Sequence, residues 1–216
     1  MPELDFAIAD VKIAPRAVAP TLIFALTLAN RTPEVPIENV LLRAQIRIEP
    51  ARRKYDSGEH DALSELFGEK ERWNQTLKGF PWTEITTTVG AFAEKATAEI
   101  PVACACDLET AADKFFHGLE GGEAPLSFLF SGSVFYRDAQ GRLQIAPIGW
   151  NKDARYRLPA ALWRQLTSLY RGDAVPLRLT RGSFDRLYRF RRERGLKDWD
   201  AAIDALIAEA AREPAS

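Results

Sequence analysis

Cysteine and histidine are almost absent from this chain, with two of each in 216 residues. Two cysteines spaced as Cys104-Ala-Cys106 cannot build a disulfide framework, and a reducing cytoplasm is the compartment that such usage suggests. Long apolar runs are missing as well. The best of them, LIFALTLA at 22–29, falls far short of the ~20 residues that cross a bilayer as a helix. The opening MPELDFAIAD has no positive n-region of the secretory kind, so neither a membrane span nor export is expected. Catalytic signatures are equally scarce: no Walker A loop, no G-x-G-x-x-G turn, no H-E-x-x-H helix and no G-x-S-x-G elbow occurs. Nothing in the pattern announces an enzyme, and no cofactor is expected.

What is present is an ordinary globular composition, 46% hydrophobic and 27% charged with a net charge of −1, and enough chain for a sizeable core. The first third alternates as strands do, at Leu4, Phe6 and Ile8, at Leu22, Phe24, Leu26 and Leu28, and at Leu42, Ala44, Ile46 and Ile48. Pro33 and Pro36 punctuate the second and third runs. Between 59 and 78 the period changes, with Leu63, Leu66 and Phe67 on one short helix and Trp73 and Leu77 on another. Alternation returns from Ile85, from Ile100 and through PLSFLFSGSVFY, and DAQGR forms a turn into LQIAPI. The helical stripe Leu162, Trp163, Leu166, Leu169 and Tyr170 follows Pro159, and Ser183 and Asp198 are placed to cap two more helices. The predicted fold is α+β: an antiparallel β-sandwich or curved sheet of about seven strands, with a helical insertion at 59–78 and a C-terminal helical segment. Region 1–150 reads as the β region, and 151–216 as a helical region packed on it in one integrated domain, with Trp163, Phe184 and Trp199 largely buried.

Three groups of residues invite chemistry. Cys104 and Cys106 invite a metal, with His60 and His117 as the histidines at hand. The cysteines, however, continue the apolar face of Ile100 and Val102, while His117 falls opposite the stripe of Leu108, Ala112, Phe115 and Phe116 on its helix, so a structural role is expected for the pair. From Arg178 to Lys197 eight basic residues face two acids, which looks like a phosphate grip. Most arginines at that spacing form a solvated helix face, and the acidic remainder of the chain argues against nucleic acid. The third group is LLRAQIRIEPARRKY at 41–55. Arg43, Gln45, Arg47 and Glu49 share one face of a strand, and Arg52 and Arg53 extend it. Guanidinium groups make bidentate bonds to carboxylates and are enriched at binding hot spots, so Arg43, Arg47, Arg52 and Arg53 are the candidate partner-binding residues.

That stretch, with LFGEKERW, PWTEITTTVGAF, ADKFFHGLEGGEAPLSFLFSGSVFY, WNKDARYRLPAALW and FDRLYRFRRERGL, resembles a family of bacterial proteins classed only as a domain of unknown function. Its genes accompany clusters for high-affinity, oxygen-tolerant nickel-iron hydrogenases. The resemblance implies a setting and assigns no residue a role. The expectation is a cytoplasmic, non-catalytic accessory or scaffold protein that binds another protein, a hydrogenase component in the setting implied. Two alternatives stand beside it: a hydrolase or carbohydrate-active β-sandwich that uses carboxylates, and a metal-handling protein acting through Cys104 and Cys106.

Overall fold

Strict alternation in TLIFALTLAN, where every second side chain is buried, makes a strand with one wet face and one dry face, and the fold is two such sheets laid dry face to dry face. The computed structural model describes residues 2–104, 110–172 and 177–212. Contacts divide the chain into two units, Met1–Asp173 and Ala174–Ser216.

In the first unit, strands β1 (Leu4–Ile13), β2 (Thr21–Asn30) and β5 (Lys95–Ala103) form an antiparallel sheet in the order β1-β2-β5. The second sheet runs β4 (Phe80–Val89), β3 (Ile37–Ile48), β6 (Glu123–Arg137) and β7 (Leu143–Pro147), and β8 (Asp153–Pro159) also pairs with β6. All pairings are antiparallel. Strand β6, 15 residues long, therefore spends one edge on β3 and divides the other between β8 and β7. The two dry faces supply the core. Phe24 meets Phe128 at 5.2 Å edge to face, Phe6 stacks on Phe130 at 4.5 Å, and Leu22, Leu26, Leu42, Ala44, Ile46 and Ile48 are fully buried between them. Pairs of rings at these spacings contribute beyond their area burial.

Helices α1 (Ser57–Ala62), α2 (Ser64–Phe67) and α3 (Trp73–Thr76) fill the connection from β3 to β4, and α4 (Ala111–His117) precedes β6. They are too short to stand alone and are held by aromatic packing. Phe67 touches Trp73 and Phe115, Trp82 packs against Phe116 at 5.1 Å, and Phe116 stacks on Trp163 of α5 (Ala160–Arg171) at 4.1 Å. Trp163 is buried, as expected.

The sequence reading is corrected in one element. Residues from 151 onward read as helical; the structure forms a strand, β8, at Asp153–Pro159 and begins the helix at Ala160. Ala154 and Leu158 are buried and Tyr156 is half-buried, while Arg155 and Arg157 are exposed. The segment obeys a period of two, and Pro159 ends it by capping α5 in extended backbone.

The second unit contains α6 (Arg181–Glu193) and α7 (Trp199–Ala210). Phe184, Tyr188 and Trp199 share an aromatic contact, and Arg191 lies 4.1 Å above the Trp199 ring. Asp198 caps α7 by accepting from Ala201 N at 2.8 Å, and that bond holds its carboxyl below the usual carboxylate range. Thr180, rather than Ser183, caps α6 and accepts from Ser183 N at 3.3 Å. Phe184 is 38% exposed and Trp199 half-buried, where burial was expected. Among the described residues no helix is long and apolar enough to cross a membrane.

Gly132 occupies the point where β6 changes neighbours. Its φ is +133°, and a Cβ there would lie 2.0 Å from the backbone oxygen of Leu41. Both the dihedral and the close approach demand glycine. Replacing it, Gly132→Ala, should cost about 3 kcal/mol of folding stability, read as a lowered midpoint in urea denaturation followed by tryptophan fluorescence.

Candidate functional site

The alternation of β3 delivers its charged row to the outer face of the second sheet, where neighbouring strands largely answer it. Arg43 Nε lies 3.4 Å from a Glu84 oxygen on β4. Arg47 donates through Nη2 to Gly79 O at 2.8 Å and lies 3.6 Å from Glu49 Oε1. The same Glu49 oxygen accepts from Ser127 Oγ at 2.7 Å. Arg43 and Arg47 are thus tethered on a rigid surface.

Beyond the strand, Pro50 opens a 3₁₀ turn, Pro50–Arg52, and Tyr55 Oη donates back to Pro50 O at 2.8 Å. The turn separates three consecutive basic residues. Arg52 and Lys54 face solvent, whereas the Arg53 side chain is only 9% exposed and its partner Glu59 only 3%. Arg53 Nη2 donates to both Glu59 oxygens, at 2.6 and 2.8 Å. Glu59 also accepts from Glu120 N at 3.1 Å and Asp56 N at 3.4 Å, while Asp56 accepts from Glu59 N at 2.9 Å to complete a capping box on α1. The Arg53 guanidinium lies 4.7 Å over the Tyr55 ring, and its Nη1 is buried without a hydrogen-bond partner. Burial pushes the Tyr55 phenol far above its ordinary value; the Arg53 charge opposes this and the Glu59 charge adds to it.

Strand β8 adds two arginines that the sequence reading missed. Its register sets Arg155 opposite Ser127 and Arg157 opposite Pro125 on β6, while Arg47 meets Ser127 from the β3 side. Directly paired residues point to the same face of a sheet, so Arg47 and Arg155 flank Ser127 on the outer surface. Arg157 Nη1 lies 4.0 Å from Glu123. Two cavities adjoin there, sharing Arg52 and Arg157. One, of about 680 Å³, includes Arg53 and Lys54; the other, of about 360 Å³, includes Arg155 and Tyr156. Of the four arginines singled out from sequence, the structure gathers Arg47 and Arg52 with Arg155 and Arg157, sets Arg43 farther along the same face, and turns Arg53 inward. The signal for the missing pair was the alternation of Arg155 and Arg157 with Ala154, Tyr156 and Leu158.

Cys104 and His117 lie elsewhere, while His60 follows Glu59 on α1 and its ring lies 6.2 Å from that of Tyr55. Cys104 is buried, with Sγ donating to Val102 O at 3.5 Å, and Cys106 lies outside the described residues. His117 is exposed, on the side the helical period predicts, and His60 packs against Trp73 at 4.6 Å. Among the described residues no group of three or more His, Cys, Asp and Glu side chains is arranged to hold a metal ion.

These features define an α+β protein of two antiparallel sheets, the second with a charged outer face of mixed sign. Residues 1–215 match DUF6084, described as a family of unknown function, and the chain belongs to that family. No curated protein matches it. Among solved structures, IrmA from Escherichia coli is 9% identical, with a TM-score of 0.30 over 83% of this chain and 99% of that one. A beta-glucosidase from Kluyveromyces marxianus is 10% identical, with a TM-score of 0.25 over 72% of this chain and 15% of that one. Beta-glucosidase 3B from Thermotoga neapolitana, in its glycerol complex, is 10% identical, with a TM-score of 0.27 over 72% and 17%.

The geometry separates a structural arginine from a surface one. Arg53→Met strands the Glu59 carboxylate in the interior and should cost about 3–5 kcal/mol, whereas Arg52→Ala should change stability by less than about 0.5 kcal/mol; paired urea titrations measure both. Tyr55 supplies a pH dependence of definite sign. Its raised pKa means that the folded state binds the phenolic proton more tightly than the unfolded state, so its contribution is intact below about pH 10 and declines above it. The stability difference between the natural chain and Tyr55→Phe should therefore shrink as pH rises past about 10, in denaturation curves collected from pH 7 upward.

Proposed function

We propose that this protein is a non-catalytic accessory or scaffold protein that binds an acidic surface of another protein through the outer face of its second sheet, within a nickel-iron hydrogenase system. One observation carries the reading: Arg43, Arg47, Arg155 and Arg157 stand on that face, with Arg52 at its end, and among the described residues Arg52, Lys54 and Arg155 have no acid partner. Charges on paired strands lose little freedom on docking, and on a face where Glu49, Glu84, Glu123 and Asp153 alternate with arginines, the cations left without an acid are what an acidic partner would meet. The hydrogenase setting is the one implied by the family resemblance in the sequence.

The other two readings find less support. A carboxylate-based hydrolase needs acids converging on a cleft, and among the described residues the two cavities beside this face have one acid between them, Glu123. A metal-handling role through Cys104 would begin from a buried thiol facing the core. Affinity capture from the native host, followed by mass spectrometry, should recover a hydrogenase subunit or maturation factor. The charge-reversed Arg43→Glu/Arg155→Glu variant should lose that component while retaining its fold. Capture of no hydrogenase component, or equal capture by the variant, removes the assignment.

A further inference from the structure

The larger cavity, beside the Pro50–Arg52 turn, carries a charge imbalance of its own. Arg52, Arg53, Lys54 and Arg157 contribute to its lining, with Gly122 and Glu123 on the same wall. Glu59 answers Arg53, and Glu123 lies 4.0 Å from Arg157. Arg52 and Lys54 are left with no acid among the described residues, so two positive charges at this cavity are uncompensated.

Arg53 provides a second, independent mark. Its side chain is more than nine-tenths buried, yet Nη1 has no hydrogen-bond partner, and a buried donor left unmatched is costly. The wall beside it is bare backbone. Gly122 has φ +64°, and a Cβ placed there would have only Arg53 Nη2 within 4 Å, at 3.9 Å. No aromatic ring lines the cavity, so it offers nothing on which a nucleobase could stack. What it offers is charge and N–H donors.

We infer that this cavity binds a phosphate-type oxyanion. A carboxylate brings one charge and two oxygens, and would leave one of Arg52 and Lys54 unanswered. A phosphoryl group brings a charge of about −1.5 to −2 at pH 7 and at least three strong acceptors, matching two unpaired cations and further guanidinium donors. Arg52, Lys54 and Arg157 supply the exposed donors, and Arg53, held by Glu59 beneath them, adds its charge to the lining. Inorganic phosphate and the phosphate monoester of a small molecule share this chemistry.

Calorimetric titration of the full chain at low ionic strength tests the inference with inorganic phosphate, glycerol phosphate, sulfate and acetate. Saturable binding is expected for the three multiply charged or tetrahedral anions, at least about tenfold tighter than for acetate, a difference of about 1.4 kcal/mol. Tighter binding of glycerol phosphate than of phosphate assigns the site to a phosphorylated small molecule; the reverse order assigns it to the free ion. Arg52→Gln/Lys54→Gln, which changes exposed residues only, should weaken binding at least about tenfold. Because Arg53→Met endangers the fold, Arg53 is read in the natural chain, where its guanidinium NMR resonances should shift on phosphate addition. Absence of saturable binding up to about 10 mM, equal response to acetate and phosphate, or an unaffected double variant overturns the inference. Phosphate binding would occupy Arg52 and Lys54 and leave Arg43 and Arg155 to a protein partner, so the Arg43→Glu/Arg155→Glu variant, which keeps both phosphate ligands, reads the two proposals apart.

Discussion

A single carboxylate governs the geometry around the end of β3. Glu59 is almost entirely removed from water, and an ionised group in that position persists only if its oxygens are occupied. Its donors come from three segments: Arg53 after the turn, Asp56 at the head of α1, and Glu120 on the approach to β6. None of these segments can settle without the others. With Arg53 committed inward to this carboxylate, its neighbours Arg52 and Lys54 are left facing water, so the exposed cations are a by-product of the buried one. Such pairs are better at specifying one arrangement than at adding net stability.

The division of β6 between two partners does for the sheet what Glu59 does for the turn. Had β7 run the full length of β6, Arg155 and Arg157 would not lie beside Ser127 and Pro125, and the outer face would carry only the paired cations of β3. Placing β8 on the first half of β6 brings together charges more than a hundred positions apart in the chain, all on extended backbone. Strand-borne groups hold position better than loop-borne ones, so the spacing of these charges is fixed by the sheet.

Much of this was legible in the chain. Strands β2 and β3 have one uniformly apolar face and one polar face, and their two-residue period has no competing helical reading. Strand β8 was harder because DARYRLP is only seven residues long, carries two arginines, and runs straight into a strongly amphipathic helix that dominates any longer window. The inward turn of Arg53 was not legible from period: carrying the β3 alternation forward sets Arg53 outward with Arg43 and Arg47, and the 3₁₀ turn at Pro50–Arg52 breaks that phase. A signal for the turn's anchor did exist, since Asp56-Ser-Gly-Glu59 has the spacing of a capping box. The burial of its glutamate depends on Glu120, which no local pattern connects to it. Thr180 displaced Ser183 as a cap because the helix begins at Arg181, two residues before the serine.

The β3–β6 ladder has a consequence for how the chain reaches this state. It joins residues roughly 80 to 100 positions apart, and the intervening stretch must be made before the pairing can form. A chain emerging from the ribosome at about 5–20 residues per second therefore holds the β6-facing edge of β3 unpaired for several seconds. Closing so long a loop gives no return until the distant strand arrives, which places the molecule among slow, non-local folders. The outward charges of β3 have a use in that interval that owes nothing to the finished surface: like-charged nascent strands repel one another, and a segment carrying Arg43 and Arg47 is a poor template for edge-to-edge aggregation.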